Sequence, residues 1–493
     1  MKKAVIIVLL IFLVAFYTIP ITYSQTNDEP VRLVLHFKEP ITNEKLTKLE
    51  RAGFHALYVF EELNAVTGFA NEKKINKISS LNFIESIEYD TLRYALGEIL
   101  PSTDEATGDV LTWDLDMINV PTVHEEYGFT GKGVYVAVLD TGLVPNWRDY
   151  FEEDKIATEF GRAYLAAAAL TAHYNPAAWE YDTNSHGTHV TSTIIGYWIY
   201  DFYRVAGVAP DAKIIPVKVL GNAGWGWTTD VVAGILYIAE LYKEEIETGG
   251  NILEPYGVIN PIVISMSLGG KTPSDLERMA IDYAIDVGVI VVAAAGNEGK
   301  DGMTYPGGFP EVISVGAAGW TGEWSMLGWW READVPEREE GLVGQVYVTN
   351  FSSRERKGQE LDVLAPGSWI VGPYLAYGAA HPPYWSRGIP GQYYYVGGTS
   401  MATPHVSGIV ALLLQYDLMI DGRIDLDQYM IEQILEESAL YIPPGSAWVY
   451  SYYPERGGTL IEHTWGDDAT GAGLVQADLA VILVMKGLPA VEK

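Results

Sequence analysis

Ser400 is the side chain in this sequence best placed to act as a nucleophile. It stands in the stretch Gly398–His405, directly before an apolar pattern of helical period, so we expect it where a loop becomes a helix. The first N–H groups of a helix lack intrahelical partners and the helix dipole is positive there, which suits a group that must form an anion. Ser is also a favoured helix N-cap, so this position alone leaves a structural interpretation open.

Asp140 and His186 have the side-chain types that would activate such a serine. Asp140 follows the apolar run 134–139, which is typical of a strand buried on both faces, although an Asp at this point also suits a turn. His186 stands at a predicted helix start, and Gly187 allows another group to approach its backbone closely. His189 follows three residues later, but the zinc helix motif needs a Glu and a spacing of four, so we expect no metal here.

Asn297 adds an amide donor at the end of another predicted strand. It follows a run of small residues, Ala293–Gly296, which would leave one wall of a pocket open. Its side chain could then donate a hydrogen bond into that opening. An Asn between glycines is equally common in turns, so the residue becomes informative only together with the others.

The elements that must position these residues alternate between strands and helices from Trp113 onwards. Such alternation predicts an α/β unit, a parallel sheet with helices on both faces, and active sites lie at the carboxyl ends of such strands. The predicted strands are 134–139, 213–220, 262–266, 289–295, 312–317 and 361–364. The predicted helices are 186–196, 230–247, 273–287, 399–416 and 425–437.

A smaller unit precedes this one. Pro30–Tyr89 shows the order β-α-β-β-α-β, a ferredoxin-like α+β arrangement, and a unit of this size buries little core by itself. Thr91–Gly108 is a weakly patterned connector. We therefore divide the chain into residues 1–24, a signal peptide, residues 25–107, the small unit and its connector, and residues 108–493, the large unit.

The composition restricts the cellular compartment in which this protein works and the classes of partner that it can bind. Lys2 and Lys3 before the apolar run Ala4–Tyr17 predict a secretory signal, with a retained anchor as the alternative, and no later stretch of the 493 residues predicts a permanent membrane span. We expect a secreted, extracellular protein. The formal charge of −32 excludes nucleic acid as a partner because phosphate repels it, and the absence of Cys excludes disulfides. The oligomeric state is not indicated.

Taken together, these residues resemble a known family. The order Asp140, His186, Ser400 is that of the subtilisin triad, and the local sequences Asp-Thr-Gly, His-Gly-Thr-His-Val, Ala-Ala-Gly-Asn and Gly-Thr-Ser-Met-Ala-Thr-Pro-His match those of subtilases, the subtilisin-like serine endopeptidases. Further support comes from the stretches at 207–220, 267–270, 351–353, 362–367 and 471–477. The resemblance covers roughly 113–488, and Pro30–Tyr89 resembles the inhibitory prodomain of the family.

The resemblance implies a secreted serine endopeptidase that is made as a precursor and processes itself. Asp140, His186 and Ser400 would be catalytic, Asn297 would bind the oxyanion, and the prodomain would act as an intramolecular inhibitor. Polypeptide substrates would bind as an added strand, with an apolar or aromatic residue before the cut and Thr304 near the base of its pocket. The implied substrate-binding residues are Gly224, Trp225, Gly226, Ser267, Leu268, Gly269, Gly270, Ala294, Ala295 and Gly296. The chemistry would need no cofactor, and structural calcium would be compatible with the family without its ligands being identified.

Some features depart from the family pattern. Thr191 and Ser192 stand where the family has smaller residues, and 193–205 lacks the polar loop that binds calcium in many relatives. Apparent insertions at 150–184, 320–347 and 374–394 could border the cleft, bind a partner or add surface. Two alternatives remain: a related acid peptidase, which would need Glu at 186 and Asp at 297, and an inactive extracellular binding or surface-layer protein with this fold.

Overall fold

A computed structural model of the protein describes residues 30–95, 98–99, 110–165, 175–199, 203–325, 329–331, 335–374, 393–452, 454 and 457–487. The expected signal peptide and most of the connector lie outside the described residues, as do parts of the three insertions. Among the described residues, no helix combines the length and the apolar character that crossing a membrane requires.

The small unit has the predicted order of elements. They are β1 (Pro30–Phe37), α1 (Asn43–Ala52), β2 (Phe54–Phe60), β3 (Ala65–Asn71), α2 (Ile75–Ser79) and β4 (Ile84–Tyr89). The sheet is antiparallel with the order β2-β3-β1-β4. Leu33 and Leu35 pack in the core of this unit, whereas Val34 on the opposite face packs in a core shared with the large unit. Both faces of β1 are therefore buried, which explains its imperfect alternation.

The connector contributes two short strands, β5 (Leu92–Ala95) and β6 (Glu98–Ile99). Both pair with strands of the large unit. The sequence pattern had suggested no regular structure in this segment.

The large unit is built around an eight-stranded sheet with the order β17-β16-β15-β13-β7-β11-β8, in which β18 also pairs with β16. Its elements are α3 (Trp113–Met117), α4 (Val120–Thr122), β7 (Tyr135–Asp140), β8 (Arg162–Ala163), α5 (His186–Ile195), β9 (Tyr197–Ile199), β10 (Tyr203–Val205), β11 (Lys213–Lys218), β12 (Trp225–Trp227), α6 (Thr228–Glu247), β13 (Ile262–Met266), β14 (Leu268–Gly269), α7 (Asp275–Asp286), β15 (Ile290–Ala294), β16 (Ile313–Trp320), β17 (Val346–Val348), β18 (Val363–Pro366), β19 (Ile370–Pro373), β20 (Tyr393–Gly397), α8 (Thr399–Asp421), α9 (Gln428–Ser438), β21 (Gly445–Tyr450), β22 (Leu460–Trp465) and α10 (Ala477–Lys486).

The prediction of a parallel sheet needs one correction. Strands β8, β11, β7, β13, β15, β16 and β18 are parallel to their neighbours, but β17 at the edge runs antiparallel to β16. This strand ends the insertion at 320–347. An edge strand with one neighbour can run in either direction, so the insertion could add it without disturbing the rest.

Helices cover both faces of the sheet, as alternate residues of β7 show. Val136 and Val138 lie in the core that contains α5 and α8, while Ala137 and Leu139 lie in the core that contains α6 and α7. Successive side chains of a strand point to opposite faces, so an unbroken apolar run fits a strand buried on both. This run ends at Asp140, which places the carboxylate at the edge of the sheet.

The described part of the insertion at 320–347 contributes several tryptophans to the core. Trp324, Trp329 and Trp330 are buried and pack around Tyr395 of β20, with ring centroids 4.9, 5.6 and 6.3 Å from its ring. Strand β20 leads directly into the Ser400 stretch. This insertion therefore supports the segment that precedes the expected nucleophile.

Candidate active site

Asp140 and His186 meet at the carboxyl edge of the sheet. Both carboxylate oxygens of Asp140 lie 2.9 Å from Nδ1 of His186, and the two side chains are 0 and 2% exposed. The backbone N–H of Thr141 donates to Oδ1 of Asp140 at 2.6 Å. The carboxylate can accept a hydrogen bond from Nδ1–H, which favours the tautomer with the proton on Nδ1 and leaves Nε2 as the ring nitrogen that can take up a proton.

The start of helix α5 packs directly on the turn after β7. A Cβ at Gly187 would lie 2.5 Å from the carbonyl oxygen of Gly142, so this close approach requires glycine. Ser185, the residue before the helix, adopts a left-handed conformation with φ of 80°. The close approach expected from the sequence is thus made by the turn that carries Asp140.

Ser400 lies in the first turn of α8, which packs against α5 and is buried over most of its length. Its hydroxyl donates to the carbonyl oxygen of Ser267 at 3.1 Å, and the hydroxyl of Ser267 donates to the carbonyl oxygen of Ser400 at 2.8 Å. Pro404 has no N–H to donate to the Ser400 carbonyl, which leaves that oxygen available to Ser267. The helix start is thereby fastened to the segment after β13.

Asn297 is held by the residue that precedes Ser400. Its Oδ1 accepts hydrogen bonds from the backbone N–H and from the hydroxyl of Thr399, both at 3.0 Å. A backbone N–H can only donate, so these contacts assign the oxygen of the amide and leave Nδ2 as its donor end. The orientation of the Asn297 amide beside the start of α8 is therefore fixed, with its oxygen towards Thr399.

The connector strand β5 lies between two of the expected substrate-binding edges. Trp225 and Gly226 of β12 pair with Tyr94 and Arg93, and Leu268 and Gly269 of β14 pair with Ala95 and Tyr94, all antiparallel. The resulting three-stranded sheet has the order β12-β5-β14. An extended peptide therefore occupies the position that the sequence assigns to substrate, and this peptide belongs to the chain itself. Gly224 lies just before β12.

The two expected walls of the pocket are joined by the segment that contains Thr304. The N–H of Thr304 donates to the carbonyl of Ala295 at 2.9 Å, and Tyr305 exchanges two backbone hydrogen bonds with Gly270. Ala294, Ala295 and Gly296 are buried, as are all four residues of 267–270. Thr304 thus lies against the first of these walls, and its neighbour Tyr305 bonds the second.

A buried ion pair behind the Asp140 turn was not predicted. Lys218, at the end of β11, donates to the carbonyl of Thr141 and to Oδ1 of Asn222 at 3.0 Å, and its Nζ lies 3.7 Å from Asp182. Asp182 accepts hydrogen bonds from the Thr141 hydroxyl and the Ser185 N–H, both at 2.7 Å. Burial lowers the pKa of Lys218 and raises that of Asp182.

The hydrogen bonds around this ion pair link the turn that carries Asp140 to the start of α5, which carries His186. The Thr141 hydroxyl that donates to Asp182 also accepts the Gly187 N–H at 2.9 Å. The sequence signals were a Lys within the mostly apolar run 213–220 and an Asp four residues before His186. Neither signal indicates a contact until the sheet brings β11 beside β7.

His189 is buried and packs against β19. Its Nε2 lies 3.1 Å from the carbonyl of Ile370, and burial lowers its pKa to about 3. Ser192 donates to the His189 carbonyl at 2.6 Å. A Cβ at Gly372 would lie 2.6 Å from Oγ of Ser192, so the larger residue fits because a glycine faces it.

One group of carboxylates among the described residues could hold a cation. Ligand oxygens of Asp362, Glu432 and Glu436 lie within 4.8 Å of one another. Burial and the neighbouring carboxylates raise the pKa of all three, that of Glu432 to about 7. A raised pKa means that protonation can relieve the repulsion between these carboxylates. The described part of 193–205 contains the antiparallel pair β9 and β10.

Comparisons with known proteins agree with this fold and site. The model of the Subtilase family matches residues 131–472. Subtilisin E of Bacillus subtilis (strain 168) is 28% identical over 415 residues, which are 82% of this chain and 86% of that protein. The subtilisin of Bacillus pumilus is 32% identical over 308 residues, 61% of this chain and 84% of that protein.

A solved structure shows the same fold. The crystal structure of fervidolysin from Fervidobacterium pennivorans, described as a keratinolytic enzyme related to subtilisin, matches with a TM-score of 0.64 at 24% identity. The match covers 94% of this chain but only 62% of that one.

The fold and the family match define a hydrolase, a serine protease with the subtilisin architecture. The chain belongs to the subtilase family, and it is a subtilisin-like serine endopeptidase. Subtilases need no cofactor for catalysis, and the comparisons do not favour the inactive surface-protein alternative. The acid-peptidase alternative has no support at positions 186 and 297, which are His and Asn.

Proposed function

We propose that Ser400 attacks the carbonyl of a peptide bond and forms an acyl-enzyme. His186 takes the hydroxyl proton and later delivers it to the leaving amine, while Asp140 fixes the imidazole tautomer and stabilises the imidazolium. The observation that carries this proposal is the buried contact of both Asp140 oxygens with Nδ1 of His186, beside the helix that bears Ser400. The Ser400 hydroxyl turns from Ser267 towards His186 for this step.

The oxyanion is bound by Nδ2 of Asn297 and the backbone N–H of Ser400. The contacts of Thr399 with Oδ1 support this role because they leave Nδ2 as the donor. The Ser400 N–H lies in the first turn of α8, where helix N–H groups lack intrahelical partners and the dipole favours an anion.

Substrates bind as an extended strand between β12 and β14, in the position of β5. The residue before the cut enters the pocket between 267–270 and 294–297. Neither stretch contains a carboxylate, so an apolar or aromatic residue is preferred there over Arg or Lys. A panel of tetrapeptide substrates tests this, and fastest cleavage after Arg or Lys would contradict it.

The enzyme is secreted as a precursor, with residues 1–24 as signal peptide and 25–107 as prodomain and connector. Two prodomain carboxylates support an inhibitory role by capping helices of the large unit. Oδ1 of Asp90 accepts the N–H of Thr229 at the start of α6 at 3.1 Å, and Oε1 of Glu88 accepts the N–H of Leu276 at the start of α7 at 3.3 Å. Helix N-termini favour such negative charge.

The test compares residues 25–493 of the wild type with Ser400→Ala. The wild type should lose its prodomain, hydrolyse unfolded casein and react with a fluorophosphonate at Ser400, and the variant should do none of these. A wild-type protein that stays full length, ignores casein and resists the label would refute the assignment of Ser400.

A further inference from the structure

A buried histidine that the proposed mechanism does not use lies behind the nucleophile. His405 follows Ser400 in helix α8, and its side chain is 0% exposed. Its Nδ1 lies 2.8 Å from the carbonyl oxygen of Met401, the residue directly after Ser400. Its Nε2 lies 2.9 Å from Oδ2 of Asp114. Both nitrogens of this ring are therefore within hydrogen-bond distance of an oxygen atom.

The two contacts determine how many protons the ring of His405 carries. A carbonyl oxygen can only accept a hydrogen bond, so Nδ1 must hold a proton. The contact of Nε2 with the carboxyl group of Asp114 needs a second proton, either on the ring or on the carboxyl group. Imidazole is the stronger base of the two in water, and the bond from Nδ1 to Met401 further favours the charged ring. We therefore assign an imidazolium to His405 and a carboxylate to Asp114.

Asp114 belongs to a segment that is fastened to other parts of the large unit. It lies in α3 and is 5% exposed. The N–H of Trp113, one residue before it, donates to the carbonyl of Trp330 at 3.1 Å. The carbonyl of Ile118, just after α3, accepts the N–H of Ala477 at 2.8 Å. Because α3 is held at both ends, its carboxylate is a fixed support for the ring of His405.

We propose that the charged pair Asp114–His405 positions Ser400 by fixing the first turn of α8. The proposal rests on the proposed role of Ser400 and adds the residues that hold it in place. The ring of His405 bonds the carbonyl of Met401, and the hydroxyl of Ser267 bonds the carbonyl of Ser400. Side chains from two directions thus hold adjacent carbonyls of this turn. Asp114 and His405 act through the backbone of the turn and are positioning residues.

The sequence of this turn explains why it needs such support. Gly398, the residue before the helix, has no side chain that could cap it, and Pro404 has no N–H to offer the carbonyl of Ser400. Bonds from other parts of the chain must therefore fix the turn. A hydrogen bond between charged groups is roughly twice as strong as a neutral one, which suits the Asp114–His405 contact to this task.

The first test is Asp114→Asn in the enzyme made as the 25–493 precursor. Asn keeps the shape of Asp but has no charge, so the ring should lose one proton and one of its two hydrogen bonds. We expect kcat per active site, with sites counted by fluorophosphonate labelling, to fall about tenfold with KM unchanged, because a small displacement of a nucleophile is costly.

Asp417→Asn is the matched control for loss of a buried carboxylate. Asp417 is 7% exposed and lies in the same helix, but its Oδ2 accepts the N–H groups of Asp425 and Leu426, beyond the far end of α8. This substitution should leave kcat unchanged even where it lowers the melting temperature. The comparison separates positioning of Ser400 from a general loss of stability.

A second test asks whether Asp114 acts through His405. His405→Asn removes the ring that bonds Asp114, and alone it should also lower kcat about tenfold. In that background, Asp114→Asn should change kcat by less than about twofold, because the interaction is already lost. A further tenfold loss would show that the two residues act independently and would overturn the proposal.

Nitrogen-15 NMR tests the charge of the pair without substituting either member. In histidine-labelled 25–493 carrying Ser400→Ala, one ring should have protons on both nitrogens at the pH of the activity assay. The signals of this ring should disappear in His405→Asn, which assigns them. A His405 ring with a proton on only one nitrogen would overturn the assigned ion pair.

The outcomes separate this proposal from the proposed function. A wild-type kcat in Asp114→Asn or His405→Asn, with the variant folded by circular dichroism, overturns the positioning role while Ser400 keeps its own. A wild-type enzyme that neither hydrolyses casein nor reacts with the fluorophosphonate overturns the proposed function, and the positioning of Ser400 with it.

Discussion

The ion pairs Lys218–Asp182 and Arg32–Asp90 are both buried, and they differ in which unit their surroundings belong to. Behind the Asp140 turn, Lys218 and Asp182 have side chains 2 and 0% exposed, and both pair within the large unit. At the contact between the units, Arg32 and Asp90 are 3 and 1% exposed and lie 2.6 Å apart. Both belong to the small unit, but each also bonds Thr229 of the large one.

The difference determines what each pair can do. The Lys218 network persists as long as the large unit is folded, so its burial maintains the geometry of Asp140 and His186. The Arg32 network is buried only while the two units are in contact, so the cost of dehydrating its charges is part of the binding equilibrium. Changes in the first region should alter catalysis and spare prodomain binding, and changes in the second should do the reverse.

The largest effect is expected from Asn297→Ala, which removes an oxyanion donor. We expect kcat to fall by about 10²–10³, a range that comes from the corresponding Asn of a subtilisin, with little change in KM. Prodomain affinity, measured on the same variant, should stay as in the wild type. Equal losses in both readouts would mean that Asn297 acts through the fold of the cleft.

Asp90→Ala tests the other region. It removes both bonds to Thr229 and leaves the guanidinium of Arg32 buried without its carboxylate. We expect the inhibition constant of the prodomain, residues 25–107, to rise about 10²-fold, with kcat of the free enzyme unchanged. Glu85→Ala, an exposed carboxylate on β4, the strand that ends one residue before Asp90, is the matched control and should have no effect. Circular dichroism checks that each prodomain is folded.

Most of the fold was predictable because local patterns decide it. The apolar run before Asp140 predicted a strand buried on both faces, and the strand in the structure is Tyr135–Asp140. The antiparallel direction of β17 was not predictable, because a short edge strand within an insertion carries no signal of direction. Strands β5 and β6 were missed because they form by pairing with the cleft and not by their own periodicity.

In the candidate site, too, local sequence patterns identified some residues and missed those that depend on long-range contacts. Asp140, His186, Asn297 and Ser400 each follow a strand end or helix start with a recognisable local sequence, so the sequence identified them, although their catalytic roles stay predictions. Lys218 and Asp182 are 36 residues apart and are joined only through Thr141 and the sheet register. A contact of this kind has no local pattern, and so it required the structure.

The next largest effect is expected from Lys218→Met, which should lower the rate of catalysis. It leaves Asp182 buried without its cation and releases the Thr141 turn that holds Asp140. We expect kcat to fall about tenfold through a small displacement of the Asp140–His186 pair, with prodomain affinity unchanged. Lys213→Met, on the same strand but partly exposed, should leave kcat unaltered. An unchanged kcat in Lys218→Met would show that the ion pair does not position the site.

The last prediction concerns the pH dependence of prodomain binding, through Asp230. The hydroxyl of Tyr58 donates to its Oδ1 at 3.1 Å, and burial at the contact raises the pKa of Asp230 to about 7, despite Arg32 nearby. Burial also raises the pKa of Asp90, whereas the pKa of Glu88 is lowered, with hydrogen bonds from His36, Leu276 and Ser274 favouring its charged form. Without the prodomain we expect Asp230 to return towards about 3.9, the ordinary value for Asp.

The direction of the pH dependence follows from the directions of these pKa shifts. A carboxyl whose pKa is higher in the complex takes up a proton on binding, so affinity should fall as pH rises from about 5 to 7, by at most about tenfold per unit for one group. Glu88 has the opposite sign but titrates at lower pH. Calorimetry of prodomain binding to residues 108–493 carrying Ser400→Ala, produced apart from the prodomain, counts the protons directly in buffers of different ionisation enthalpy. Asp230→Asn should reduce the uptake and flatten the pH dependence, while Asp282→Asn, a carboxyl outside the contact, should not. If Asp230→Asn takes up as many protons as the wild type, Asp230 does not make prodomain binding depend on pH. The contrast between the two buried ion-pair regions would then not be supported by the pH dependence of binding.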